Sequence, residues 1–146
     1  MSIENIDWWT APASADDGSE RLVMVTGRRD VTKFRNNPKF TIRIEITWPY
    51  DQAPTAGMPN DDKAALMGSA TDALLDVLDK DPIAVMTGIF TGAGNRTWVF
   101  YTLSTHIFQK KLNEALADLP TLPLQIIAEN DPEWEAYDEM AELAVE

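Results

Sequence analysis

Cysteine is absent from this 146-residue chain. Disulfides, thiolate zinc sites, iron–sulfur clusters and cysteine nucleophiles are therefore excluded. Histidine occurs once, as His106, so a single chain cannot assemble a multi-histidine metal centre. No apolar run approaches the roughly 18 residues that a membrane-spanning helix needs. The N-terminal residues Met1 to Trp9 carry neither the basic region nor the apolar region of a secretory signal. A cytoplasmic location and no membrane association are expected on these grounds.

Positive charge is also scarce. Twelve Lys and Arg stand against 24 Asp and Glu, for a formal net charge of −12. Such a balance repels nucleic acid and anionic membrane at long range, so nucleic acid is not an expected partner. The distribution is uneven. Residues 21–50 hold Arg21, Arg28, Arg29, Lys33, Arg35, Lys39 and Arg43 against Asp30 and Glu45, a local +5 against −17 for the remainder. Residues 129–146 carry eight acids and no base. A charge run of this kind reads first as a solvated face; the basic stretch leaves room for a small anion site.

What is present describes a globular chain. Hydrophobic residues make up 45% and charged residues 25%, and the length suits one domain, residues 1–146, with a core of its own. Residues 10–20 are small, polar and turn-rich, and read as a loop within a loop-rich N-terminal segment, residues 1–20. Arg21 to Thr26 is a short strand candidate, either an edge or a hairpin partner of the strand at 40–48. Residues 27–39 are basic and polar, with Asn36-Asn37-Pro38 as a turn signal. In Phe40 to Trp48, Phe40, Ile42, Ile44, Ile46 and Trp48 alternate with Thr41, Arg43, Glu45 and Thr47, the period of a strand with one buried and one polar face. Residues 49–60, with Pro49, Pro54, Gly57 and Pro59, form a loop.

Asn60, Asp61 and Asp62 offer a helix cap and first-turn acids. Leu66, Ala70, Ala73, Leu74, Val77 and Leu78 then recur at helical spacing up to about Lys80, ahead of Pro82. Ile83 to Thr91 and Thr97 to Leu103 read as strands joined by a hairpin. On the second, Trp98 and Phe100 point one way, toward the helices with Met86 and Phe90. Thr97, Val99 and Tyr101 point the other, with Thr87 and Ile89. Ser104 or Thr105 caps a second helix striped by Phe108, Leu112, Ala115, Leu116 and Leu119. A fourth strand, Leu122 to Ala128, alternates Leu122, Leu124, Ile126 and Ala128. Asp131-Pro132-Glu133 starts a short acidic helix within residues 129–146, with Trp134, Tyr137 and Ala141 on one face.

From Phe40 the order is β-α-β-β-α-β. The expected fold is α+β: a ferredoxin-like βαββαβ sandwich, its antiparallel sheet carrying two helices on one face. An extra N-terminal strand and a short C-terminal helix add to it. Trp8, Trp9 and Trp134 would pack over an edge or over the uncovered sheet face.

Chemical motifs are weak. Gly92-Ala-Gly94 joins two strands, whereas a dinucleotide loop runs from a strand into a helix, so it reads as a hairpin turn. His106 at a helix start, beside Ser104 and Thr105, lacks any indicated orienting partner. The carboxylates, among them Asp76, Asp79, Asp81, Glu129, Asp131 and Glu133, do not fit a calcium loop. No cofactor and no metal are expected. A base-stacking sheet face would offer only Tyr101.

Several landmarks line up with a known family. Trp8, Gly57-Met58-Pro59, Gly88-Ile89-Phe90-Thr91, Arg96 to Tyr101, and above all Asp131-Pro132-Glu133-Trp134-Glu135-Ala136-Tyr137 resemble the bacterial domain of unknown function 695. The family is distantly similar in fold to the bacterial regulator of ribonuclease activity B, an acidic cytosolic inhibitor that binds ribonuclease E. That likeness implies a protein-binding regulator, though no inhibitory residue carries over.

The expected function is a non-enzymatic module acting by contact with another protein, through acidic surface that steers a basic or nucleic-acid-processing partner. The alternative is a small enzyme or ligand-binding protein. Its site would lie on the uncovered sheet face, with Arg43, Glu45, Arg96 and Tyr101 lining a cleft closed by Trp134 and Tyr137.

Overall fold

The computed structural model describes residues 8–14, 22–29, 31–49, 61–79, 84–92, 95–117 and 124–142. The elements in chain order are β1 (Trp8–Ser14), β2 (Leu22–Arg28), α1 (Thr32–Arg35), β3 (Ile42–Pro49), α2 (Asp61–Leu74), β4 (Ala84–Gly92), β5 (Asn95–Thr102), α3 (Thr105–Ala115), β6 (Gln125–Asn130) and α4 (Glu135–Ala141). A π-helical turn, Leu75–Asp79, continues α2. The fold is α+β, with six strands in one antiparallel sheet ordered β1-β2-β4-β5-β3-β6.

β3 sits between β5 and β6. Its alternation sends Ile44, Ile46 and Trp48 into the core and leaves Arg43, Glu45 and Thr47 on the other side, partly exposed. On the first side α2, its π turn and α3 lie across the sheet. Met67, Ala70, Leu74, Leu75 and Leu78 meet Phe108, Leu112 and Ala115 over Trp48, Met86, Trp98 and Phe100, all in one apolar cluster. Trp98 Nε1–H donates to Thr71 Oγ1 at 2.8 Å, and Thr71 donates in turn to the Met67 carbonyl at 2.9 Å. The one polar edge of a fully buried indole is thereby satisfied. At the start of α3, Ser104 accepts from the Ile107 N–H at 3.3 Å, the expected cap.

The structure corrects several expectations. The strand expected over Phe40 to Trp48 begins at Ile42, and Phe40, expected on its buried side with Ile44, packs on the opposite face with Val31, Phe34 and Tyr101; the strand period does not govern a residue that precedes the strand. Residues 10–14 are not loop: they belong to β1, paired along its length with β2. Small residues and Pro12 obscure a strand whose existence depends on a partner, and an edge strand tolerates a proline. β2 is no edge and no hairpin partner of β3, because it lies between β1 and β4. The turn region 27–39 contains α1, closed by a backbone bond from the Asn36 N–H to the Thr32 carbonyl.

A bulge between Met86 and Gly88 shifts the β4–β5 register. Beyond it the facing reverses: Ile89 joins the helix-side core, and Phe90 packs on the opposite side with Trp9, Val25 and Met140. One extra residue flips every later side chain.

β6 begins at Gln125, and all six of its residues are exposed, so the expected buried alternation of Ile126 and Ala128 fails. α4 begins at Glu135 rather than at Pro132. The expected loop at 49–60 beyond Pro49, the Gly57-Met58-Pro59 element, Leu119 and Leu122 lie outside the described residues. No described helix is long and apolar enough to cross a membrane.

The second face of the sheet is not left open. α1 and α4 cover it, with Val31, Phe34, Phe40, Val85, Tyr101 and Trp134 in one cluster and Trp9, Ala11, Val25 and Met140 in another. Two glycines permit the close approach. A Cβ at Gly88 would collide with Met140 Sδ, and one at Gly27 with the Trp9 indole.

Candidate functional site

Arg43 and Glu45 on β3 and Tyr101 on β5 share the face covered by α4, and Arg43 is directly opposite Tyr101 in the register. The segment after β6 lies over them. Trp134 stacks on Tyr101 with ring centroids 4.0 Å apart and planes 14° from parallel. Tyr137 meets Trp134 edge-on at 5.8 Å. Five of the six expected site residues are thus brought together. Arg96 is not among them. It faces the same way as Trp98 and Phe100 by strand alternation, and its Nε–H donates to Thr91 Oγ1 at 3.0 Å.

Asp131 is the residue that sequence reasoning placed only as a helix cap, and it organises the cluster. Its backbone N–H donates to the Thr41 carbonyl at 2.8 Å, continuing the β3–β6 ladder by one residue. Its carboxylate accepts the Tyr101 hydroxyl at 2.6 Å and the N–H groups of Glu135 at 3.0 Å and Ala136 at 3.1 Å. It therefore caps α4 from four residues upstream and ties that helix to the middle of β5. The signal in the sequence was the aspartate before Pro132; its tyrosine partner, 30 positions away, left none.

Trp134 provides the second tie. It adopts the left-handed region at φ 57°, a conformation that costs a non-glycine residue of order 1–3 kcal/mol. The surroundings hold it there. The indole is fully buried, and Nε1–H donates to the Phe40 carbonyl at 2.8 Å. The Tyr137 hydroxyl donates to the Arg28 carbonyl, reaching from α4 to the end of β2.

Charge completes the arrangement. Arg35 grips Asp138 with two bonds, 2.6 and 2.7 Å, and donates to the Glu133 carbonyl at 3.2 Å. Arg43 NH1 lies 3.0 Å from Glu45 and 3.1 Å from Glu129. The Arg28 guanidinium sits over the Phe34 ring, 5.6 Å from its centroid. Two residues of the basic stretch, Arg35 and Arg43, thus receive acids of the C-terminal segment.

Electrostatics favours one protonation pattern in the cluster. Burial, reinforced by the bond to Asp131, pushes the Tyr101 hydroxyl far above the usual phenol range. Burial also disfavours the Asp131 carboxylate, but the Tyr101 hydroxyl and the two backbone N–H groups outweigh it and hold its pKa below the ordinary value. Asp138 is likewise held low by its bond to Arg35. Both shifts favour a protonated Tyr101 donating to a charged Asp131, the arrangement in which the pair fastens β5 to the start of α4.

A small crevice of about 10 Å³ remains between the sheet and α4, lined by Arg43, Thr87, Phe90, Tyr101, Tyr137 and Met140 among others; that is room for about one water. Arg43 Nε is buried there without a hydrogen-bond partner among the described residues. His106 is exposed at the start of α3. Among the described residues no group of three His, Asp or Glu gathers as a metal site would require.

The geometry defines an α+β protein whose second sheet face is closed by its own C-terminal segment, fastened through an aspartate, a tryptophan and two tyrosines. A family model matches residues 7–140, nearly the whole chain, and the protein belongs to that family, the family of unknown function DUF695. No curated protein matches the sequence.

Proposed function

We propose that this protein is a non-enzymatic, cytoplasmic interaction module that presents a rigid acidic surface to a basic protein partner. The observation that carries the reading is the mounting of α4. Trp134 and Met140 are buried while Glu133, Glu135, Glu139 and Glu142 are exposed. The ion pairs among the described residues engage Asp138 and Glu129 and leave those four acids outward. A fixed array of one sign steers a complementary partner and raises its association rate without the ordering cost of a floppy tail.

A nucleic-acid-processing protein has a basic surface of the needed kind, in keeping with the distant likeness to the regulator of ribonuclease activity B. The ferredoxin-like arrangement behind that likeness is part of the proposal. It draws on the order β6-β3-β5-β4, with α2 connecting β3 to β4 and α3 connecting β5 to β6. The small-molecule alternative has less support. α4 occupies the face it needs, and the crevice beneath it holds about one water, far below the ~300–1,000 Å³ usual for ligand sites.

The test is affinity capture from native cells at low and moderate salt, with the parent chain and with a variant combining Glu133→Gln, Glu135→Gln, Glu139→Gln and Glu142→Gln. A partner retained by the parent at low salt, and lost both with added salt and in the variant, is the expected result. Capture indifferent to salt and to the four substitutions, or no capture at any salt, overturns the reading.

A further inference from the structure

The two edges of the sheet are not equally protected. β1 carries Pro12, which has no N–H to offer an incoming strand. β6 carries neither proline nor lysine, and its two isoleucines, Ile126 and Ile127, are 49% and 58% exposed. They point to opposite faces, so neither α3 nor α4 can shelter both. A hydrophobic edge of this kind is a template for another strand.

The backbone decides which groups face outward. The Asp131 N–H bonds to β3 at Thr41. Backbone groups alternate along a strand, so the odd positions of β6 turn inward to β3, and Ile126 and Ala128 direct theirs outward. A two-fold axis perpendicular to the sheet keeps faces matched, so only registers pairing even with even positions can bond. Centring the axis on Ile127 places Ile127 opposite Ile127 of a second copy. Ile126 then lies opposite Ala128, and Gln125 opposite Glu129. Shifting the centre to Ala128 would set Ile127 against Glu129. In the first register apolar meets apolar, the lone β6 carboxylate meets an amide rather than its own copy, and about four main-chain bonds form.

We infer that β6 is a self-pairing edge through which two copies of this chain join antiparallel about Ile127, extending the sheet across both. The contact is small beside stable interfaces of about 1,200–2,000 Å², so a dissociation constant of roughly 10–100 µM is expected. Each copy carries a net charge of −12. Added salt therefore strengthens the pairing by screening repulsion, the opposite of its effect on a basic partner, so the two ideas fail separately.

The experiment is sedimentation velocity of the full chain over a concentration series at low and moderate salt, with two variants. Ala128→Pro deletes an outward N–H and leaves the β3 ladder intact; about tenfold weaker association is expected. Ile127→Cys introduces a single thiol. With diamide as oxidant it is expected to yield covalent dimer well above the Ile126→Cys control, because only position 127 faces its own copy. A chain that stays monomeric to about 1 mM, ten times the weakest expected constant, overturns the inference. So does a dimer indifferent to Ala128→Pro, or equal cross-linking at positions 126 and 127. Circular dichroism of each variant confirms that β6 remains folded; a variant that loses the fold is replaced by Ile127→Lys, with the same expected loss of dimer.

Discussion

Phe100 and Tyr101 are neighbours on β5, both fully buried, on opposite faces of the sheet. Phe100 meets Phe108 edge-on at 5.1 Å within one contiguous cluster of sixteen buried residues. Tyr101 lies in a cluster of six, next to a separate cluster of four. The first face is closed by two long helices over a wide apolar area, with one buried polar tie between sheet and helix, Trp98 to Thr71. The second is closed by short elements over a smaller area, and there three aromatics carry polar ties: Tyr101 to Asp131, Trp134 to Phe40, Tyr137 to Arg28. Non-directional burial dominates where the covering element is long. Directional bonds set the position where it is short.

The largest effect should come from breaking the first face. Phe100→Ala is expected to cost about 3–5 kcal/mol and to lower the stability of the whole molecule, seen as a shift of the denaturant midpoint. Trp134→Ala should cost somewhat less, about 2–4 kcal/mol, because the segment it anchors can detach and the left-handed strain is relieved. Hydrogen exchange separates the two: Trp134→Ala should expose α4 amides while those of β3 and β5 stay protected. Loss of protection throughout would mean that the two faces form one cooperative unit.

Asp131→Asn should cost about 1–2 kcal/mol at neutral pH. It also sharpens the comparison through pH. The folded Asp131 pKa lies below its unfolded value, so its contribution is complete above the unfolded pKa of about 3.9 and is lost as pH falls through the folded value. The parent should therefore lose stability on acidification below about pH 4 more steeply than the variant, which thermal melts at pH 7 and pH 3 would reveal. Equal slopes would remove Asp131 as the fastener. The smallest effect belongs to Arg35→Met. Its partner Asp138 is half exposed, and a loss of at most about 1 kcal/mol, shrinking in high salt, is expected from double-mutant analysis with Asp138→Asn.

Much of the first face was legible. The alternation of Ile44 to Trp48, the Phe108, Leu112 and Ala115 part of the α3 stripe, and a cap at Ser104, one of the two candidates, follow from periods and cap chemistry that act within a few residues; Phe40 breaks the expected facing. Within the candidate site, the shared facing of Arg43, Glu45 and Tyr101 was legible from strand period. That Arg96 faces away could also be read, since it is an even position beside Trp98. The reversed facing of Ile89 and Phe90 could not be read, because a bulge leaves no mark in composition. β1 was missed because its residues favour no strand until β2 offers one. The buried side expected of β6 failed because burial depends on what packs against a strand, and not on the strand's own pattern.

The amino-acid sequence by itself determined the chemistry that is absent, the opposed charges of residues 21–50 and 129–146, and the strands and helices whose periods are strong. These are local properties, set by side-chain type and spacing. Tertiary structure alone decided that the two charged stretches meet, that Asp131 reaches Tyr101, and that α4 closes the second face while β6 stays uncovered. Those outcomes depend on contacts between residues 30 to more than 100 positions apart, whose free energies arise only once the chain has folded back on itself and excluded water between them.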